Sequence, residues 1–333
     1  MRAAVLVGAG RIELEERPVP TPAPGDVLVR VSTVGVCGSD THYYRDGRVG
    51  SFVVDGPLVL GHEAAGTIVA VGDAQDAARI GQRVSIEPQR PDPDSAETRR
   101  GDYHLCPHMR FYGTPPVDGA FSDYVTIGAA FAHPVPDHVT DEAAALCEPL
   151  SVGIAAIRKA RLDAGARVLI AGAGPIGIVV AQVARAYGAT ELLVSDPDPA
   201  RRIRAEDFGA TTVLDPTTDD VTTLGVDAFI DASGAPAAVA SGIRAVRPGG
   251  TVVLVGSGAE TMTLPTQVIQ NHELLLTGVF RYANTWPTAI ALIESGRVDL
   301  DAMVTARFPL EQVAEALDSD RVPGTVKTVV TVS

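Results

Sequence analysis

The segment Gly172-Ala173-Gly174-Pro175-Ile176-Gly177 constrains this chain more than any other. It has the form G-x-G-x-x-G and lies between an apolar run, Val168–Ala171, and a helical pattern, Ile176–Tyr187, that stops at Gly188. In that setting the first glycine permits a sharp turn, the second leaves room for a pyrophosphate, and the third lets helix and strand approach. The helix N-terminus offers the diphosphate free N–H groups and the positive end of the macrodipole. Strand and helix then alternate about every 25 residues. The run continues through Leu192–Ser195, Pro199–Phe208 ending at Gly209, Asp227–Ile230 and Thr251–Val255. Strands this continuously apolar are buried on both faces, so the pattern predicts a parallel, doubly wound sheet. The expected ligand is a dinucleotide, with Gly172, Gly174, Pro175, Ile176 and Gly177 at its phosphates. Asp196 ends the second strand about 20 residues on, where a carboxylate takes hydrogen bonds from the ribose and repels a 2′-phosphate. NAD is therefore expected over NADP. Arg201 stands close by and would tolerate a phosphate, and a helix-capping role is the alternative for Asp196.

The rest of the chain reads differently. Residues 1 to about 145 are short strands and turns, with Val27–Val31 alternating, Ala65–Val71 rich in β-formers and Arg83–Ile86 following a Gly-Gln turn. Asp141 is the expected N-cap of Ala143–Leu146, and a second helix is expected over Ser151–Ala160, after Pro149. Beyond Trp286 lie an amphipathic helix, Leu310–Leu317, and a strand, Thr325–Val332, which would return to the first domain. The segment Glu87–His108 is a polar, proline-rich excursion without periodicity, expected to be a solvated surface loop. At about 150 residues per domain, 333 residues suit two domains.

Charge removes one class of partner. With 27 basic and 41 acidic side chains the formal charge is −14, so nucleic acid is not expected. No apolar stretch approaches the ~18 residues of a membrane span. The run Met1–Val7 is too short for a signal peptide and leads into Arg11, Glu13, Glu15 and Glu16, as on a solvated strand face. Three widely spaced cysteines, Cys37, Cys106 and Cys147, make no disulfide framework. A cytoplasmic protein without membrane partners is expected.

Three motifs carry metal-ligating side chains: Gly35-Val36-Cys37-Gly38-Ser39-Asp40-Thr41-His42-Tyr43-Tyr44, Gly61-His62-Glu63-Ala64-Ala65-Gly66 and Cys147-Glu148-Pro149-Leu150-Ser151-Val152-Gly153. Thiolate, imidazole and carboxylate are zinc ligand types, and three of them with an open position describe a catalytic zinc. Taken singly, each residue also fits an ordinary core role.

The combination resembles the zinc-dependent medium-chain dehydrogenases, and within them the sorbitol (polyol) dehydrogenase family. The likeness extends over essentially the whole chain and includes the segments Met109–Gly119 and Gly278–Pro287. It implies a Rossmann domain, residues 150–286, inserted in a β-rich GroES-like catalytic domain, residues 1–149 and 287–333. It implies NAD-dependent oxidation of a secondary hydroxyl of a sugar alcohol, of the sorbitol or xylitol kind, to the ketose. By the same resemblance Cys37, His62 and Glu63 hold the zinc. Glu148 binds its water or exchanges with Glu63, and Ser39 and His42 relay the alcohol proton. Tyr43, Phe52, Phe111, Thr114, Glu148, Arg281 and Tyr282 line the polyol pocket. Asp196 and Arg201 hold the adenosine ribose. Family habit implies a homotetramer, with a homodimer as the alternative. The region of Thr251–Val255 and Leu274–Gly278 would supply a pairing edge.

One departure stands out. Most family members bind a second, structural zinc through four cysteines in the excursion, where this chain has only Cys106. His104, His108 and Asp102 are a poor substitute for a closed four-ligand site, so no structural zinc is expected. The neighbouring readings are an L-idonate-type or threonine-type zinc dehydrogenase. Further off lie a zinc-free quinone reductase and a noncatalytic relative, both of which lack the Cys37/His62 pair.

Overall fold

The apolar runs that follow Arg167 assemble into the expected parallel sheet in the computed structural model, which describes residues 1–332. Its order is Thr212–Leu214, Glu191–Ser195, Arg167–Ala171, Val226–Asp231, Val246–Leu254 and Leu275–Gly278, every neighbouring pair parallel. Leu275–Gly278 is therefore an edge strand. Helices Pro175–Ala186, Pro199–Asp207 and Pro236–Ala245 connect the strands, each with proline in the first turn, where its missing N–H costs nothing. Leu169, Phe229, Val239, Ile243 and Val252 form part of the core. This unit comprises Pro149–Thr285 and Ser295–Val298.

The other unit comprises Met1–Glu148, Trp286–Glu294 and the chain from Asp299 onward. Its main sheet runs Ala132–Pro134, Arg83–Ile86, Glu63–Val71, Asp26–Gly35, Lys327–Thr331, Val304–Pro309, and Tyr124–Gly128 also pairs with Asp26–Gly35. Leu60, Ile68, Phe121 and Ile127, all fully buried, pack beneath it. A smaller sheet carries Arg11–Glu16, whose charges face solvent as the sequence suggests. Among the described residues no helix is long and apolar enough to cross a membrane.

Several local expectations need correction. Thr140, not Asp141, caps the helix Asp141–Ala145, its hydroxyl accepting the Ala143 N–H at 2.9 Å. Asp141 is drawn instead to the Arg83 guanidinium. The next helix starts at Cys147 and runs to Ala160, because Pro149 falls in its first turn, where proline is tolerated. The stretch Leu310–Leu317 opens with a 3₁₀ turn, Leu310–Gln312, before the α-helix Val313–Asp318.

The excursion after Glu87 is not a free surface loop. Glu87 and Gln89 are buried, and the strand Gln89–Arg90 pairs with Arg110–Phe111. Glu87 gathers the segment by accepting hydrogen bonds from Gln89 Nε2 (3.0 Å) and the Tyr103 hydroxyl (2.7 Å). Its other oxygen lies 2.9 Å from His133 Nε2. A buried carboxylate requires such partners, and three of them fasten the loop. Ser95 caps the short helix Ala96–Arg99 and lies with Thr98 beside the buried Cys106 thiol, whose sulfur accepts the Asp92 N–H at 3.3 Å. Burial pushes that thiol up, but the hydrogen bonds from Ser95, Asp92, His108 and Thr98 bring it below the ordinary thiol range.

Candidate metal and dinucleotide sites

The ladder between Asp26–Gly35 and Glu63–Val71 sets Gly35 opposite Glu63. Cys37 follows at the N-cap of the helix Gly38–Asp46, and His62 immediately precedes Glu63. The pairing therefore delivers one thiol, one imidazole and one carboxylate to a single point, and their ligand atoms all lie within 4.8 Å of one another. His62 and Glu63 are buried, and Cys37 is partly exposed. Gly35 is required beneath them: a Cβ there would collide with Glu63 Oε2.

Two residues to which the motifs assign no role complete the site. Asp40, fully buried, accepts the N–H groups of Cys37 (3.1 Å) and Gly61 (3.0 Å) and lies 3.4 Å from His62 Nδ1. This is the carboxylate–imidazole arrangement that fixes a ligating histidine and leaves its other nitrogen free. Burial works against an imidazolium at His62, yet Asp40 and Cys37 hold its pKa well above the ordinary range. Lys327, on the strand Lys327–Thr331, donates from Nζ to Glu63 Oε1 at 2.6 Å and to the Val36 carbonyl at 2.7 Å. Burial opposes its charge as well, and Glu63, Cys37 and Glu148 together outweigh that and raise its pKa.

A metal ion fits this point. Glu63 Oε2 is buried and has no hydrogen-bond partner, an exception that buried carboxylates rarely allow. Glu63, Cys37 and Glu148 act together on one lysine, and Asp40 and Cys37 favour the charged form of His62, so the point draws positive charge. Thiolate, imidazole and carboxylate suit zinc. Glu148 is buried in the first turn of Cys147–Ala160 and lies outside the group of three. Cys147 beside it is a core cysteine, its thiol pushed up to about 12 by burial.

The other expected residues of this unit lie on the same helix, on the short strand Phe52–Val53 and in the 111–114 turn. Ser39 is half-buried, while His42 is exposed, with Nδ1 3.0 Å from Asp46 Oδ2. Tyr43 and Phe111 are buried, and the Phe111 ring packs 5.5 Å from the His62 ring. Thr114 is half-buried and Phe52 is exposed.

In the second unit Gly172 turns the chain with φ 97°, and a Cβ at Gly177 would strike the Gly172 carbonyl. Beside Gly174, the N-cap of Pro175–Ala186, the space is open, as an approaching phosphate requires. A cavity of about 660 Å³ extends from Gly172 and Gly174 past Asp196, Arg201 and Ser233. Asp196 is buried, accepting the Ala173 N–H through Oδ2 and the Asp198 N–H through Oδ1, both at 2.8 Å. Asp198, not Asp196, caps the following helix. Arg201 is half exposed, 3.8 Å from Asp198. Tyr282 is buried, and Arg281 lies over the Phe280 ring, 4.7 Å from its centroid.

Comparison with known proteins agrees with both halves of this chemistry. Residues 23–137 match the alcohol dehydrogenase GroES-like domain, and residues 175–295 match the zinc-binding dehydrogenase domain. Sorbitol dehydrogenase from Macaca fascicularis is 42% identical over 325 residues, covering 95% of this chain and 91% of the relative. L-idonate 5-dehydrogenase from Escherichia coli K-12 superposes with a TM-score of 0.94 at 28% identity, covering 99% of this chain and 97% of that one. An alcohol dehydrogenase from Escherichia coli CFT073, solved with NADH, gives 0.93 at 27% identity and covers 99% of both chains. The chain belongs to the sorbitol dehydrogenase family of zinc-dependent medium-chain oxidoreductases, which work with a nicotinamide dinucleotide.

Proposed function

We propose that this protein oxidises a secondary hydroxyl of a sugar alcohol, of the sorbitol or xylitol kind, to the ketose, with NAD as acceptor and one zinc ion per chain. The convergence of Cys37, His62 and Glu63 within 4.8 Å, with one carboxylate oxygen buried and unpartnered, carries the reading. Zinc held there would supply the Lewis acidity that lowers an alcohol pKa toward neutrality, and a nicotinamide would accept the hydride.

The protein's own groups do the rest. Asp40 fixes the His62 ring, and Lys327 keeps Glu63 Oε1 occupied so that Oε2 faces the ion. Ser39 Oγ takes the alcohol proton, and the exposed His42 hands it to solvent. Tyr43, Phe52, Phe111 and Thr114 wall the polyol, while Glu148, Arg281 and Tyr282 recognise its hydroxyls. A site built to bind vicinal hydroxyls leaves its own polar groups unpaired on analogues that lack them, and so rejects those analogues. Asp196, Arg201 and the glycine turn hold NAD, and the Asp196 carboxylate disfavours the 2′-phosphate of NADP.

Residues 1–149 and 287–333 form the catalytic domain in this reading, and residues 150–286 the inserted NAD domain. A second, structural zinc is absent from it, because hydroxyls of Ser95 and Thr98 surround Cys106. Free thiols at all three cysteines suit the cytoplasm. The edge strand Leu275–Gly278 offers a surface for pairing in a homotetramer or homodimer.

Metal analysis together with NADH absorbance across sorbitol, xylitol, ribitol, L-idonate and threonine tests the proposal. The expected result is one zinc per chain and polyol turnover with NAD. Turnover of L-idonate or threonine alone would refute the substrate class, two zinc ions per chain the single site, and a preference for NADP the role of Asp196.

A further inference from the structure

The last turn of the helix Cys147–Ala160 grips the segment Gly278–Asn284 at both ends. Lys159 Nζ donates to the Gly278 carbonyl at 2.8 Å. Arg158 Nη1 donates to the Asn284 carbonyl at 3.0 Å and reaches the Ala283 carbonyl at 3.5 Å. Between these anchors the backbone enters the left-handed region twice, with φ 58° at Arg281 and φ 55° at Asn284. Arginine lacks the freedom of glycine, so its conformation persists where the surroundings over-determine it, while asparagine visits this region more readily. Tyr282, with 1% exposure, pins the middle of the segment, and the Arg281 guanidinium rests on the exposed Phe280 ring.

The anchors explain how an irregular stretch outside the sheet keeps one shape. Donation from a cation to a carbonyl is charge-assisted and stronger than a neutral pair. Both cations come from the end of one helix, whose regular geometry fixes their spacing. With the anchors gone, Arg281 and Asn284 would be free to relax toward ordinary φ, and the guanidinium would swing with the backbone.

We propose that Arg158 and Lys159 are positioning residues for polyol selectivity: they hold the backbone that presents Arg281 and Tyr282 to the substrate. They touch neither substrate nor cofactor. The inference rests on the reading of Arg281 and Tyr282 as polyol-binding groups, so the test separates the two. Steady-state kinetics are measured with sorbitol and with 2-propanol at saturating NAD, and with NAD varied at saturating sorbitol, for Arg281→Ala, Arg158→Met/Lys159→Met and the conservative Arg158→Lys/Lys159→Arg.

The expected result is a KM for sorbitol raised about tenfold in the Met/Met variant. Its KM for NAD, its zinc content and its 2-propanol kinetics stay unchanged, and the conservative pair recovers most of the loss. Lys159→Met alone shows a smaller shift of the same kind and serves if the double variant does not fold. A selective defect in Arg281→Ala with wild-type behaviour in both Met variants would overturn the positioning role and leave Arg281 in place. Equal losses on both substrates in the Met variants would also overturn it. Wild-type selectivity in Arg281→Ala would remove the underlying reading, and this inference with it.

Discussion

Cys37 and Cys106 belong to the same unit, and their surroundings have opposite chemistry. Around Cys37 stand an imidazole, three carboxylates and one lysine, with a carboxylate oxygen left unsatisfied. Around Cys106 stand two hydroxyls and the N–H groups of Asp92 and His108. The first neighbourhood has surplus negative charge and needs a cation to be complete. The second offers the thiol hydrogen-bond partners and little charge. A cysteine therefore says little about metal until its neighbours' charges are counted.

The contrast can be tested to destruction. Cys37→Ser should abolish turnover and zinc content together, since a ligand is lost rather than adjusted; retained activity in zinc-free protein would dissolve the distinction. Next in size is Lys327→Met. It strands a buried carboxylate and should lower the stability of the metal-free protein by about 3–5 kcal/mol. Added zinc should restore most of that, because the ion replaces the missing cation. Thermal melts with and without zinc read this, and equal losses in both would show that Lys327 merely packs.

The pH dependence should be subtler. In metal-free protein the raised His62 pKa contributes stability that is fully present below the ordinary histidine pKa and fades as pH rises through the elevated one. Zinc must displace that proton, so its affinity should strengthen with pH over the same window. Titration by calorimetry at several pH values checks this, and a flat profile would contradict it. Cys106→Ser should do least. Serine preserves the donors and acceptors, so the cost stays within about 1 kcal/mol, and zinc content should not change. Loss of zinc in this variant would place a metal where hydroxyls now suffice.

The sequence exposes the parts of this molecule that local rules dictate. The glycine turn and the buried parallel strands follow from short-range pattern, whereas Cys37, His62 and Glu63 stand out as a ligand set only through the family resemblance. Asp40 and Lys327 do neither. Lys327 meets Glu63 only because the strand Lys327–Thr331 pairs with Asp26–Gly35, and nothing near either residue announces the partner. Asp40 sits inside a motif already full of candidates, and its two N–H contacts depend on where Gly61 comes to rest. The excursion misleads for a related reason: its polar composition suits solvent, and only the distant His133 and the intervening Tyr103 show that Glu87 is buried. The left-handed turn at Arg281 leaves no compositional trace, and asparagine at 284 is only a weak one.

Gly35 contributes no atom to catalysis, yet it sets the clearance on which Glu63 depends. A single methyl there would evict Oε2 while every ligand stayed chemically intact. Vacant volume is thus as much a component of this centre as sulfur or nitrogen, and an inventory of functional groups would never record it.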